Sequence, residues 1–437
     1  MRPDRSRAPV AIVGGGFSGT MLAAQLARRG ISSLLIEGGG RAGLGTAFST
    51  DERVHVLNVR AEAMSAWPDE PGHFARASGD PRGFAERRFF GGYLRAILDD
   101  AVASGHAQVV PSKAVAASPG ADGWQLDLED GGEVTAQALV LAIGNQPPEP
   151  LALAAKAGHR FINNPWGDEA KAAVREAAAS GGDVLLIGTG LTMIDAVLSL
   201  SVVGHDGRIV ALSRRGQIPK AHADFAAAPI EASEVPQGDV LMLWRWLRRR
   251  SGEIGWRAAV DSLRPHSQML WQALGADQQQ RFLRHARPYW DVHRHRIAPE
   301  VSRQVHDRVA EGKLEIVAGR LGAIRAMDDG LEVEIRRRGR AEEVRRFAFA
   351  INCTGPLGTI LRTRDPMLRT LIDGGFVRPD QLNIGIDVDE HSRATGAERL
   401  WAMGPLTKGR YWEIVAVPDI REQAAAVADD IARELAP

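Results

Sequence analysis

The chain has a single cysteine among its 437 residues, Cys353. That excludes an internal disulfide, a CxxC redox pair and a multi-thiolate metal site, and with them thiol relay chemistry. Net charge is missing too, because 54 Lys and Arg balance 54 Asp and Glu. Counterion release from nucleic acid or an anionic membrane needs a clustered cationic excess, so neither is an expected partner. No uncharged apolar run approaches the roughly 20 residues of a membrane helix. Met1-Arg2-Pro3-Asp4-Arg5-Ser6-Arg7 leads toward a strand without the apolar stretch and cleavage site of a secretory signal. The expectation is a soluble, cytoplasmic protein of more than one domain. Glycine, by contrast, is abundant: 47 residues, well above the usual share of about 7%. Such excess points to tight turns or loops that approach phosphates.

Pro9 to Val13 form a short apolar run ending in Gly14-Gly15-Gly16-Phe17-Ser18-Gly19, and residues 17 to 29 then follow a helical pattern closed by Gly30. In a strand, turn and helix of this kind each glycine has a mechanical task. Gly14 makes the tight turn, Gly16 lets the backbone approach a pyrophosphate, and Gly19 lets the helix pack close to the strand. The helix N-terminus then faces the phosphates. A second strand, Ser33 to Ile36, delivers Glu37 about 20 residues downstream, where an acid accepts hydrogen bonds from a ribose diol.

The device recurs. Asp183 to Ile187 reads as a buried strand, followed by Gly188-Thr189-Gly190-Leu191-Thr192-Met193 and a helix to about Val203. Met193 takes the place of the third glycine, so helix and strand must stand further apart or the side chain must tuck aside. The next strand, Arg208 to Leu212, ends in Ser213-Arg214-Arg215 where the first motif has Glu37. Acid has become base: arginines pair bidentately with a 2′-phosphate that a carboxylate would repel, so NADPH is expected over NADH. A solvated surface pair is the alternative account of Arg214 and Arg215, but their position, specified by the motif, favours the phosphate.

Residues 107 to 144 hold short strands, a glycine turn and the apolar run Ala138 to Ile143 ending at Gly144; residues 314 to 355 repeat that plan through the alternating stretch Leu331 to Ile335. Leu400 to Pro405 is an apolar strand into glycine, and Ile420 to Leu435 an amphipathic helix whose N-terminal amides would face the flavin. The expected fold is α/β: two Rossmann-like dinucleotide-binding domains, for FAD and NADPH, each with an antiparallel meander, plus a helical insertion. Residues 1–155 and 356–437 would form the FAD-binding domain, 156–223 and 309–355 the NADPH-binding domain, and 224–308 the insertion. Hydride would pass from nicotinamide to flavin.

Several further stretches carry a resemblance. They are Gly43-Leu44-Gly45-Thr46-Ala47-Phe48-Ser49, His55-Val56-Leu57-Asn58-Val59 with Met64-Ser65, Gly188 to Asp195, Leu212 to Gly216 with Pro219 and His222, Arg287 to Arg296, and Gly404-Pro405-Leu406 with Gly409 to Ile414. Together with the first glycine turn they resemble a bacterial family, the FAD-dependent urate hydroxylase and L-aspartate N-monooxygenase type of flavoprotein, within the larger group built on the glutathione reductase plan. The resemblance implies FAD held by the N- and C-terminal segments: Gly14, Gly16, Phe17, Ser18, Gly19, Glu37, Gly45, Thr46, Asn58, Met64, Ser65, Ala114, Gly144, Gly404, Pro405, Leu406 and Trp412. It implies NADPH held by Gly188, Gly190, Leu191, Thr192, Ser213, Arg214 and Arg215. The implied reaction is monooxygenation with molecular oxygen through a flavin C4a-hydroperoxide. One departure is visible: where the family usually has a proline and a tyrosine, the stretch Phe84 to Leu94 has Glu86 and Phe90, so the substrate would differ if that stretch lines its pocket.

Half of the ten tryptophans lie in the insertion: Trp244, Trp246, Trp256, Trp271 and Trp290. The first four read as a small aromatic core. Arg281 to Arg296 concentrates cationic donors beside Tyr289 and Trp290, which suits an anion or a solvated helix face equally. Trp290, Arg294 and Arg296 are the substrate candidates. Zinc on His285, His293 and His295 is disfavoured by spacing and the lack of a carboxylate or cysteine partner, so no metal is expected. His222 and His295 are the candidates for proton handling, since imidazole titrates near neutral pH. The expected function is an FAD-dependent, NADPH-using monooxygenase acting on a small, anionic, nitrogenous substrate. An NADPH-dependent flavin dehydrogenase or oxidase without oxygen insertion stays open, as does a non-catalytic flavin-binding regulatory protein, although two intact glycine turns speak against the last.

Overall fold

The computed structural model describes residues 7–436; the reading of residues 1–6 lies outside that range. In chain order the strands are β1 (Arg7–Val13), β2 (Ser33–Ile36), β3 (Ala107–Val110), β4 (Ala114–Gly120), β5 (Gly123–Leu128), β6 (Glu133–Leu141), β7 (Phe161–Ile162), β8 (Val184–Ile187), β9 (Ile209–Ser213), β10 (Leu314–Ala318), β11 (Arg320–Ala326), β12 (Leu331–Arg336), β13 (Glu343–Phe347), β14 (Phe349–Asn352) and β15 (Leu400–Ala402).

The first sheet runs β3-β2-β1-β6-β5-β4, with β15 also on β6. β1, β2, β3, β6 and β15 pair in parallel, while β4 and β5 fold back antiparallel. β6 is divided: Glu133 to Ala136 pair with β5, and Leu139 to Leu141 pair with β15. The parallel strands are aliphatic on both faces because both faces are covered. Val10 and Ile12 enter the core beneath helices Phe17–Arg28, Arg87–Ala103 and Val417–Glu434, whereas Ala11 and Val13 enter the core on the opposite side.

The second sheet repeats the order as β10-β9-β8-β14-β7, all parallel. Its meander, β11-β12-β13, is a separate antiparallel sheet. Here the counterpart of the long β6 is broken at Ala348 into β13 and β14. Between β9 and β10 the chain makes the expected helical excursion, with helices Val240–Ile254, Trp256–Ser262, Ser267–Ala273, Ala276–Arg281 and Arg287–Arg294 and a π-helical turn over Phe282–Ala286. Leu247, Ala259, Val260, Leu263 and Leu270 form its core with Trp246 and Trp256 against it, while the buried Trp271 stacks on Trp412 of the C-terminal segment. Helix Pro299–Ala310 then returns the chain to the second sheet through Val301 and Val305. Among the described residues no helix is long and apolar enough to cross a membrane.

Candidate functional site

Both glycine turns leave their sheets in the same way. The Gly14 N–H donates to the Ile36 carbonyl at 2.9 Å and the Gly188 N–H to the Leu212 carbonyl at 2.8 Å. Gly14 has φ +108° and Gly188 φ +116°. A Cβ on Gly14 would stand 2.5 Å from the Ala142 carbonyl oxygen, and one on Gly188 2.3 Å from that of Cys353, so neither position admits a side chain.

Gly16 and Gly190 cap helices Phe17–Arg28 and Leu191–Val202 without any side-chain cap, which leaves first-turn N–H groups for an anion. Phe17 and Ser18 are buried, so their backbone rather than their side chains is on offer. Space is available as well: a Cβ on Gly190 would meet nothing within 4 Å, and one on Gly16 only the Gly45 Cα at 3.6 Å. Gly19 packs so tightly that its Cβ would lie 2.0 Å from the Gly14 carbonyl oxygen. Met193, at the matching place, is fully buried beneath its helix with Val184 and Leu186, so the side chain tucks into the core.

The registers make Glu37 and Ser213 equivalent, since Val13 pairs with Ile36 and Ile187 with Leu212. The Glu37 carboxylate accepts from the N–H groups of Gly15 and Gly39, both at 2.8 Å, and is thereby held at the lip of the first turn. In the second turn the Thr189 hydroxyl, facing from the place of Gly15, is bonded to the Ser213 hydroxyl at 2.8 Å and donates to the Gln217 carbonyl. Arg214 and Arg215 follow. Neither forms an ion pair among the described residues; Arg215 instead lies over the Tyr289 ring at 5.4 Å. Leu191 and Thr192 open the second helix.

The remaining cofactor candidates fall into four groups. Gly45 and Thr46 stand on a short helix locked to the first turn, where the Gly43 N–H donates to the Gly15 carbonyl at 2.9 Å. Gly404, Pro405 and Leu406 follow β15 into the same region: a Cβ on Gly404 would stand 2.5 Å from Ser18 Oγ, and the Gly404 N–H donates to Gln423 Oε1 at 2.7 Å. Asn58, Met64, Ser65, Ala114 and Gly144 are more distant in their contacts. Met64, Ser65 and Ala114 are buried, the Ser65 hydroxyl donates to the Glu70 carbonyl at 2.6 Å, the Asn58 carbonyl accepts from His222 Nε2 at 2.9 Å, and Gly144 lies in the loop after β6 with φ +69°. Trp412 is engaged with the insertion, stacked on Trp271 at 4.7 Å.

The substrate candidates separate. Trp290 lines a cleft in the insertion and donates its indole N–H to Glu413 Oε1 at 2.5 Å. Arg294 pairs with the buried Glu413 at 3.0 Å and Arg296 with Asp261 at 2.5 Å, so both guanidinium groups already have carboxylates. His222 packs on Phe84 at 5.0 Å, and burial pushes its imidazole below the ordinary value. Burial does the same to His295, against the opposing pull of Glu413 and Asp291. Burial raises the Cys353 thiol, keeping it protonated. Phe90 is core, packed on Phe17, Phe48 and Phe74, and Glu86 pairs with Arg88.

One element escaped the sequence reading. Arg87 pairs with Asp195 at 3.0 Å and bonds the Val56 carbonyl at 3.2 Å, tying the second glycine-turn helix to the first half of the chain. Ser199 on that helix donates to Glu52 at 2.6 Å. The readable signal was an aspartate inside the otherwise apolar run Met193 to Leu198.

Residues 11–146 match the family model NAD_binding_9, described as FAD-NAD(P)-binding. A search of curated proteins returns no match. Among solved structures the chain is similar to an ornithine hydroxylase from Pseudomonas aeruginosa in its reduced form, with 16% identity, TM-score 0.67 and coverage of 98% of this chain and 100% of that one. It is similar to the Kutzneria sp. 744 ornithine N-hydroxylase with reduced FAD, NADP+ and L-ornithine, at 16% identity, TM-score 0.66 and the same coverages. It is also similar to an FAD-bound cadaverine monooxygenase from Erwinia amylovora, at 11% identity, TM-score 0.68 and coverage of 98% and 95%. The chain therefore carries a FAD-NAD(P)-binding domain in residues 11–146 and shares its fold, over nearly its full length, with N-hydroxylating flavoproteins.

Proposed function

We propose that the protein is an FAD-dependent, NADPH-using monooxygenase that hydroxylates a small nitrogenous substrate. The observation that carries this reading is the pair of glycine turns, one lipped by a carboxylate and the other by two arginines without ion-pair partners among the described residues. A protein that only bound flavin would need one cradle. FAD supplies the oxygen chemistry when bound and reduced.

The chain's own residues do the rest. Glu37 accepts from the adenosine ribose of FAD, and the first-turn amides after Gly16 meet its pyrophosphate. Gly190 does the same for NADPH, while Arg214 and Arg215 hold its 2′-phosphate. Asp195 and Arg87 fix the second helix against the first half, so that both coenzymes keep a constant relation. His222 must carry its proton on Nε2, because the Asn58 carbonyl only accepts; its Nδ1 is the free acceptor, and its lowered pKa keeps it a base near pH 7. The domain boundaries at 155, 223, 308 and 355 belong to this proposal.

The test is to reduce the FAD-loaded protein anaerobically with NADPH and then admit oxygen with nitrogenous acids and amines. Rapid bleaching followed by a hydroxylated product supports the reading. Full return of flavin absorbance with stoichiometric hydrogen peroxide for every compound removes the hydroxylase and leaves an oxidase.

A further inference from the structure

A cleft of about 840 Å³ opens in the helical insertion; no residue of either glycine turn lines it, but its Tyr289 ring carries Arg215. Its volume falls within the roughly 300–1,000 Å³ of small-molecule sites. Trp244, Trp256, Tyr289 and Trp290 provide flat apolar walls. These rings are held in place: Trp244 meets Tyr289 edge to face at 5.8 Å, Trp256 meets His293 at 4.9 Å, and Trp290 is tethered through its N–H to Glu413. The π-helical turn Phe282–Ala286 contributes His285 and Ala286 to the lining; such turns are frequent at functional sites.

The polar lining has one sign. It contains Arg248, Arg281, His285 and His293 and no carboxylate. Arg248 and Arg281 form no ion pair among the described residues, in contrast to Arg294 and Arg296 nearby, each of which has its own acid. His293 Nδ1 must bear a proton, because it donates to the Tyr289 carbonyl at 2.8 Å, and this leaves Nε2 as its free nitrogen. Two guanidinium forks without ion-pair partners among the described residues, in a cleft walled by aromatic rings, match the planar, bidentate geometry of a carboxylate attached to an aromatic system. An ammonium group would find no counter-charge here. The ornithine and cadaverine of the similarly folded proteins carry such groups.

We propose that this cleft binds a flat aromatic carboxylate, with the ring between the tryptophans and the acid on Arg248 and Arg281. That this ligand is the substrate rests on the hydroxylase reading above; that it binds does not. Tyr289 links the cleft to the coenzyme, since the same ring carries Arg215. An occupied cleft therefore steadies the arginine assigned to the 2′-phosphate.

Calorimetric titration of the FAD-loaded protein with indole-3-acetate, indole-3-acetamide and tryptamine tests this, because the three share a ring and differ in charge. The acetate is expected to bind at least tenfold more tightly than the acetamide, with tryptamine weakest. Arg248→Gln combined with Arg281→Gln should remove that preference while acetamide binding persists, and Arg281→Lys, which keeps the charge and loses the fork, should fall between. Both arginines are exposed, so retained FAD content and unchanged Tm certify the variants. Equal affinities for acid and amide, tightest binding of tryptamine, a preference that survives in the double variant, or no heat from any probe at millimolar concentration would each overturn the proposal. Calorimetry needs no turnover: failure of NADPH to bleach the flavin would defeat the hydroxylase reading alone, and loss of charge preference in a protein that bleaches would defeat only this one.

Discussion

The two glycine turns share a backbone path and differ in what stands on it. In the first, a carboxylate is clamped by two backbone N–H groups, and a third glycine lets helix and strand touch. In the second, a Thr189–Ser213 hydroxyl pair replaces Gly15 and Glu37, Met193 fills the place of Gly19 from the core side, and two arginines project where the first turn has Gly38 and Gly39. Geometry is thus set by the positions whose Cβ would strike a carbonyl, while the proposed coenzyme preference rests on residues just beyond the second strand. The two properties can change independently.

The comparison breaks most visibly at the third glycine. Gly19→Ala drives a methyl group against the Gly14 carbonyl and should give protein without FAD, read as the flavin-to-protein absorbance ratio. Gly190→Ala has open space and an ordinary backbone, so Tm should hold while the KM for NADPH rises; a fall in Tm would show that the second turn is tighter than its partner.

The arginines come next. Charge-assisted hydrogen bonds contribute about 1.5–3 kcal/mol each, so Arg214→Ala or Arg215→Ala should cut kcat/KM for NADPH in flavin reduction by roughly ten- to 150-fold. The value for NADH should stay unchanged. Equal losses with both coenzymes would detach these residues from the 2′-phosphate.

A smaller effect separates fold from coenzyme. Asp195→Asn leaves Arg87, which is mostly buried, without its charge partner, and should lower stability by no more than about 3 kcal/mol given the residual exposure of the pair. It should slow flavin reduction without altering the NADPH-to-NADH ratio, which stopped-flow traces would read.

The smallest effect concerns pH. His222 and His295 have folded pKa values below the ordinary imidazole value of about 6.5. The unfolded chain therefore binds more protons as pH falls through and below that value. Stability should be complete above about pH 6.5 and decline on acidification, and Tm of His222→Gln should fall less steeply between pH 6.5 and 5 than that of the parent.

Much of this frame could be read from residue order because its determinants are local. Gly14 and Gly188 each directly follow the strand they terminate, and the returning strand at Leu400 announced itself as an apolar run into glycine. Element ends moved only slightly: the last helix is Val417–Glu434 rather than Ile420 to Leu435. The insertion was less legible. Arg294 and Arg296 looked like free donors because their acids, Glu413 and Asp261, lie on other elements. Arg248 drew no attention within the run Arg248-Arg249-Arg250, Arg281 was read only as the start of a cationic stretch, and only the packing of separate helices brings the two to one cleft.

The division of β6 has a further consequence for biosynthesis. Its outer neighbour, β15, lies more than 250 positions downstream, after the whole second sheet and the insertion. Until that stretch has left the ribosome, the first sheet has an open edge at Leu139 to Leu141, and Gly404 has yet to close over Ser18. With the proposed placement of FAD, the complete flavin cradle exists only after the last strand has been synthesised, so flavin capture is expected late in the life of the nascent chain.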